Sequence, residues 1–347
     1  MRKPAYEEGQ KMDAIYAAVG IDVSKRKLDI ALLVNGKTKT KVLENSIEGH
    51  RALLDWLGKS KVPLSALHVC MEATGVYSEP VALALHQAGL MVSVENPACI
   101  KGFGHSENIR NKNDAIDAGL IARYCAAMRP APWSPPPLEQ RQLRAWTQRV
   151  QALKDIRQQE ENRLEALAIG GMDEVVQHVR QHITWLSAEI EKLESDIDDH
   201  IDRHPGLKHD AELLTTIPGV GMTTAAKVLG SLGDIRRFGS AKAFAAFLGV
   251  TPKQRSSGSS VRGRTTISRT GNTSLRAALY MPSLVARRHN PILRQFAERL
   301  AATGMAQKAV IGAVMHKLAH LIYGVIHNDK PFDPNYLSKG LAIQDGI

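Results

Sequence analysis

Four acidic side chains in the N-terminal part of the chain stand where phosphate-directed metal chemistry can be done. Asp22 closes the apolar stretch that ends Gly20-Ile21-Asp22, and Glu72 closes His68-Val69-Cys70-Met71 just before Ala73-Thr74-Gly75. Asp114 and Asp117 lie three residues apart in Asn113-Asp114-Ala115-Ile116-Asp117-Ala118, a spacing that puts both on one face of a helix. Each has a plainer use. A strand-end Glu can point to solvent, and an Asp at a helix start is favoured as a cap and by the dipole, which suits Asp114 better than Asp117. If the strands ending in Asp22 and Glu72 are neighbours, two half-buried carboxylates repel unless a divalent cation lies between them. Four carboxylates from two strands and a helix are an oxygen-rich set suited to Mg²⁺ or Mn²⁺. Two such ions, about 3.5–4 Å apart, can activate a nucleophile and stabilise a leaving oxygen in phosphodiester cleavage.

The second group lies in the last third. Residues 253–264 (KQRSSGSSVRGR) hold four serines among Lys253, Arg255, Arg262 and Arg264. Ser/Gly enrichment usually means a flexible loop. A serine is also a nucleophile towards phosphorus when a metal or base activates it and arginines hold the phosphate, a part for which Arg262 and Arg264 are the first candidates. Upstream, Ile217-Pro218-Gly219-Val220-Gly221 before a small-residue helix reads as a helix-hairpin-helix, in which Gly219 and Gly221 let backbone N–H groups approach a phosphate. A plain turn between two helices is the alternative.

The elements that must position these residues fall into three regions after an N-terminal extension, 1–16. Strands are predicted for AAVGIDV, LDIALLV and KTKVLE, with a turn at Asn35-Gly36, and a helix over 47–58. A strand over 66–72, a helix around 77–88, a strand over 91–95 and a helix over 113–128 complete a βββαβαβα order, an α/β domain of 17–130. Pro130, Pro132, Pro135, Pro136 and Pro137 end it. In 131–206, Val176, Val179, Ile183, Leu186, Ile190, Leu193 and Ile197 step by three and four, the seam of a helical hairpin or coiled coil that packs on its own chain or on a second copy. The rest, 207–347, reads as mainly α-helical.

Of 347 residues, 45 are Lys or Arg and 35 Asp or Glu, a net charge of +10. The surplus is concentrated: from Ile235 to Ala297 there are twelve basic residues, Arg269 and Arg276 among them, and no acid. Self-repulsion on that scale points to a polyanion, most simply nucleic acid. Aromatics at 5% argue against a base-stacking RNA platform, and three scattered cysteines against a disulfide scaffold or zinc site. No charge-free apolar stretch has membrane-spanning length, so the expectation is a soluble, cytoplasmic protein without a membrane partner.

The carboxylate-bearing strand order resembles the RNase H-like nuclease fold in its RuvC branch. More closely, GIDVSK, CMEATGVY and RNKNDAIDA resemble the N-terminal domain of bacterial insertion-sequence transposases of the DEDD class, the insertion-sequence 110 family. TIPGVGMTTA, FAAFLGVTPKQRSSGSSVRG and TGNTSLRAALYMP resemble the same family's C-terminal half, so the likeness runs from about 18 to 335. It implies a DNA recombinase with Asp22, Glu72, Asp114 and Asp117 as a Mg²⁺-binding tetrad. It also implies a serine, at the position of Ser257, that forms a covalent phosphoserine link to DNA. Ser256, Ser259 and Ser260 are the alternatives, since alignment across such a loop can slip. The resemblance further implies double-stranded DNA partners, a non-coding guide RNA from the same element, and a homodimer or homotetramer. The rivals are a RuvC-type Holliday-junction nuclease using water, a sugar kinase or related ATPase, and a non-catalytic DNA-binding protein. The kinase lacks its second Asp-Gly phosphate motif.

Overall fold

The computed structural model describes residues 17–107, 114–253, 256–257, 261–262, 266–268 and 270–335. Two compact units divide at Pro135 and Pro136, inside the proline cluster.

In the first unit, β1 (Ala17–Val23), β2 (Lys27–Val34) and β3 (Lys37–Glu44) form an antiparallel meander, turning at Asn35 and Gly36 with φ of 47° and 76°. Both positive values are what a two-residue hairpin turn requires. Then follow α1 (Ile47–Gly58), β4 (Leu67–Glu72), α2 (Glu79–Gln87), β5 (Met91–Glu95), α3 (Pro97–Ser106) and α4 (Asp114–Met128). The sheet is mixed, ordered β3-β2-β1-β4-β5, with β1, β4 and β5 parallel. Alternation divides its faces: Val19, Ile21, Val69 and Met71 pack with Leu53, Leu57 and Leu85 of α1 and α2, whereas Ala18 and Cys70 pack with Ile121, Tyr124 and Cys125 of α4. The predicted elements are all present. The addition is α3, which opens on Asn96, whose side-chain oxygen accepts from the Ala98 N–H, with Pro97 at its first position.

The second unit is helical. The antiparallel hairpin α5 (Leu138–Ile169) and α6 (Asp173–Arg203) is bridged by Lys154 Nζ to Glu194 Oε1 at 2.6 Å, with His200 bonded to the Glu139 carbonyl at 2.9 Å. The α6 seam is buried against its own chain, except that Ile183 is half-buried, and Leu186 to Ile201 share one core with the helices beyond. Those are α7 (Pro205–Thr215), α8 (Met222–Leu232), α9 (Ala241–Leu248), then β6 (Pro252–Lys253), β7 (Ser256–Ser257), β8 (Val261–Arg262) and β9 (Thr266–Ile267), and α10 (Thr273–Ala278), α11 (Tyr280–His289), α12 (Pro291–Ala302) and α13 (Gln307–Asn328). By length and hydropathy α13 is apolar enough to cross a bilayer, but it forms the centre of this core: Val310, Val314, Leu318, Ile322 and Ile326 are fully buried.

Candidate active site

The parallel pairing of β1, β4 and β5 brings their C-terminal ends to one sheet edge. Ile21 pairs with Met71, so Asp22 and Glu72 stand side by side one residue further on, and Glu72 pairs in turn with Glu95. By alternation these three carboxylates share the face that α4 covers. What lets α4 lie so close is Gly20, where a Cβ would stand 2.2 Å from both the Ala118 carbonyl oxygen and the Ala122 nitrogen. The two aspartates of the first turn of α4, Asp114 and the half-buried Asp117, are thereby carried across β1 and β2. The Asp114 side chain lies outside the described residues.

Two carboxylates that sequence reasoning missed belong to the same face. Asp29 pairs across β2 with Asp22, is buried, and is ion-paired with Lys27 Nζ at 3.1 Å. Glu95 is half-buried; burial pushes its carboxyl above the usual range, against the Tyr124 hydroxyl, which donates to it at 3.4 Å. The signal for Glu95 was present, since MVSVE ends in Glu as ALHVCME does. Further back on the same face, Ser93 Oγ meets His68 Nε2 at 2.8 Å and donates to the Pro130 and Ala131 carbonyls, tying the chain's exit from the unit to β5. The donor set near the edge is all oxygen, the chemistry a hard divalent cation prefers. Among the described residues no three such groups are gathered closely enough to hold an ion.

In the second unit the serine-bearing segment is folded as paired strands rather than as a plain loop. Pro252 and Lys253 pair with Ile267 and Thr266, and Ser256 and Ser257 pair with Arg262 and Val261. Its root is anchored: the Ser268 N–H donates to the Thr251 carbonyl at 2.9 Å, and Ile267 seats on α13, where a Cβ on Gly312 would meet its Cδ1 at 2.9 Å. Lys253 is exposed; Arg255, Arg264, Arg269, Ser259, Ser260 and the side chains of Ser256, Ser257 and Arg262 lie outside the described residues. Arg276 is half-buried and donates to Thr273 Oγ1 at 3.2 Å. The Pro218–Gly221 turn links α7 to α8. At Gly219, φ is 105° and a Cβ would meet Ala286 of α11 at 2.7 Å, so packing within the unit requires that glycine. Around Gly221, which caps α8, the space is open.

Residues 19–169 match a family model described as Transposase, and residues 211–298 a model described as Transposase IS116/IS110/IS902 family. The pilin gene-inverting protein of Moraxella bovis is 33% identical over 319 residues, covering 91% of this chain and 97% of that one. A probable family 20 transposase of Pseudomonas aeruginosa is 27% identical over 174 residues, covering 47% and 48%. Among solved structures, Thermus thermophilus RuvC with a Holliday junction substrate covers 32% of this chain and 95% of its own, at 16% identity and a TM-score of 0.24, too low to define a shared fold. The chain is therefore an enzyme that recombines DNA, a transposase. It belongs to the IS116/IS110/IS902 transposase family.

Proposed function

We propose that the chain cuts and rejoins DNA through a serine–DNA intermediate, on a RuvC-like carboxylate site. The observation that carries the reading is the side-by-side placement of Asp22 and Glu72 at one sheet edge, with the Asp114–Asp117 turn of α4 laid over the same face. Asp22, Glu72, Asp114 and Asp117 would hold Mg²⁺, or Mn²⁺; such an ion, when bound, supplies charge neutralisation at the scissile phosphate. Ser257 Oγ attacks phosphorus as the bond to the 3′ oxygen breaks; the serine's proton passes to a base, and a proton from that base or from water goes to the departing 3′ oxygen, which leaves as a hydroxyl. The new phosphoserine ester keeps the bond energy, so the 3′ hydroxyl of a second strand can displace serine with no nucleotide hydrolysed. Lys253, Arg255, Arg262, Arg264, Arg269 and Arg276 serve as phosphate contacts, and Gly221 offers the N-terminus of α8 to a backbone phosphate.

The partners in this reading are two DNA duplexes, a guide RNA encoded by the element, and further copies of the chain in a dimer or tetramer. The α5–α6 hairpin supports assembly, since Ile169, Met172, Val175 and Trp185 are exposed towards its distal end. The basic segment suits DNA and RNA alike.

The test is covalent trapping. Purified protein, with and without its co-purified nucleic acid, is incubated with element-end DNA and Mg²⁺ and then denatured. A DNA-linked band lost in Ser257→Ala and in Asp22→Ala supports the reading. Cleavage that survives Ser257→Ala but needs Asp22 makes the enzyme a water-using nuclease. A band unchanged by nuclease removal of the co-purified RNA refutes the guide.

A further inference from the structure

The second unit carries a cleft that the serine chemistry does not use. It opens between α11 and α12 with a volume of about 710 Å³, within the roughly 300–1,000 Å³ of ligand-sized clefts. Its walls combine Met281 and Val285, 63% and 45% exposed, with Arg287, Arg288, Arg294 and the exposed His289, against the single acid Glu298. None of the three arginines is ion-paired among the described residues. The lining contains no hydroxyl or amide side chain.

The cleft is preformed. Its elbow is Asn290, fully buried, whose Oδ1 accepts from the N–H groups of Ile292 and Leu293 at 3.1 Å each and so fixes where α12 begins. Behind it Pro282, Ser283 and Ala286 of α11 and Leu293 and Leu300 of α12 are buried. The inner side is therefore packed, while exposed methionine and valine share the outer side with uncompensated guanidinium groups.

That combination does not match a duplex, which offers a rod of phosphates and keeps its apolar base faces stacked inside. It matches a separated strand, whose phosphates meet arginines while its bases lie on apolar or guanidinium surface. We propose that the α11–α12 cleft holds an unpaired DNA strand, the kind that any exchange of strands between duplexes must release. A grip through phosphates and the faces of the bases tolerates any sequence. The inference rests on the DNA-recombining class of the chain and not on the serine step.

The test uses the full-length chain in EDTA, so that cleavage does not intervene, with fluorescent dT20, a duplex of the same length and rU20. Arg288→Gln/Arg294→Gln removes two phosphate contacts, which for single strands lowers the salt slope by about 1.4. The loss of dT20 affinity relative to wild type should then shrink about 25-fold between 0.1 and 1 M salt. Val285→Asp should weaken dT20 binding as well. Arg299→Gln is the control, because that guanidinium lies over the Phe296 ring at 5.7 Å and does not line the cleft; it should leave binding unchanged. Circular dichroism establishes that each variant folds, and either cleft variant alone suffices if the other does not. An unchanged slope overturns the proposal. Equal losses for duplex and single strand make the arginines a general electrostatic surface, and a cleft-dependent preference for rU20 assigns it to RNA; both also overturn it.

Discussion

Gly20→Ala tests whether the closeness of α4 to β1 matters to the chemistry. The added Cβ would stand 2.2 Å from the Ala118 oxygen and the Ala122 nitrogen, and 2.9 Å from the Ala122 Cα. All three are backbone atoms, so no rotamer change relieves the clash. Reaching ordinary contact, at 3.4–4 Å, requires α4 to withdraw by more than about 1 Å. Overpacking of this kind costs roughly 1–3 kcal/mol, and at roughly 2–4 °C per kcal/mol the first unit should melt about 2–12 °C lower. The helix carries Asp114 and Asp117 with it, and a displacement of about 1 Å in a reacting constellation costs on the order of 100-fold in rate. The assay pairs calorimetric unfolding with single-turnover cleavage of element-end DNA. Gly58→Ala serves as the comparison: at the end of α1 it meets nothing within 4 Å, and it should leave cleavage alone and raise stability by up to about 1 kcal/mol. If Gly20→Ala melts and cleaves like wild type, α4 is not held by this contact. A lower melting point with intact cleavage would sever the link between helix position and chemistry.

Three further expectations concern the second unit. His209 bonds Asp329 at 2.7 Å, which holds the imidazole above its ordinary range and the carboxyl below its own. The histidine's stabilising contribution is complete below its unfolded value near 6.5 and disappears as pH rises through the raised folded value; His209→Gln should melt below wild type at pH 5.5, and the gap should close by pH 8.5. His316 has the opposite sign: burial, then His320 and Lys317, depress it to about 4. Between pH 6.5 and 4 the unfolded chain takes up a proton that the folded chain refuses, so stability falls with pH, and His316→Gln should flatten that slope in urea titrations. Arg236 grips Asp210 through two bonds, of 2.8 and 3.0 Å; a double-mutant cycle of Arg236→Ala with Asp210→Ala should return a coupling of about 1 kcal/mol, and a value near zero would make the pair incidental.

The N-terminal sheet was legible because local patterns and tertiary demands agree there. AAVGIDV and ALHVCME are continuous apolar runs because β1 and β4 are covered on both faces, whereas KTKTKVLE is largely exposed at the sheet edge. The helix α3 was not legible: PACIKGFGHS contains two glycines and a proline and buries only Ile100 and Gly104, so periodicity carries little signal. The paired strands at 252–267 were read as a loop because each is two residues long. What orders their root is contact with α13, which no local window contains. Gly219 shows the converse: the motif was visible, but the packing against Ala286 that requires a glycine there lies 67 residues away in sequence.

The carboxylate set depends on register more than on composition. Asp22, Asp29, Glu72 and Glu95 share a face only because β1, β2, β4 and β5 pair as they do, and a one-residue slip of β4 would turn Glu72 towards α1 and α2. Two contacts forbid that slip. Cys70 occupies the α4 face beside Gly20, where the Cys125 thiol donates to the neighbouring His68 carbonyl at 3.4 Å, and Val69 and Met71 are fully buried on the other face. Slipping β4 would place Val69 and Met71 under α4 and drive His68 and Glu72 into the apolar α1–α2 core, each an uncompensated polar burial. The same core residues that hold the sheet together therefore hold Glu72 next to Asp22, and the placement of the acids follows from the packing of their apolar neighbours.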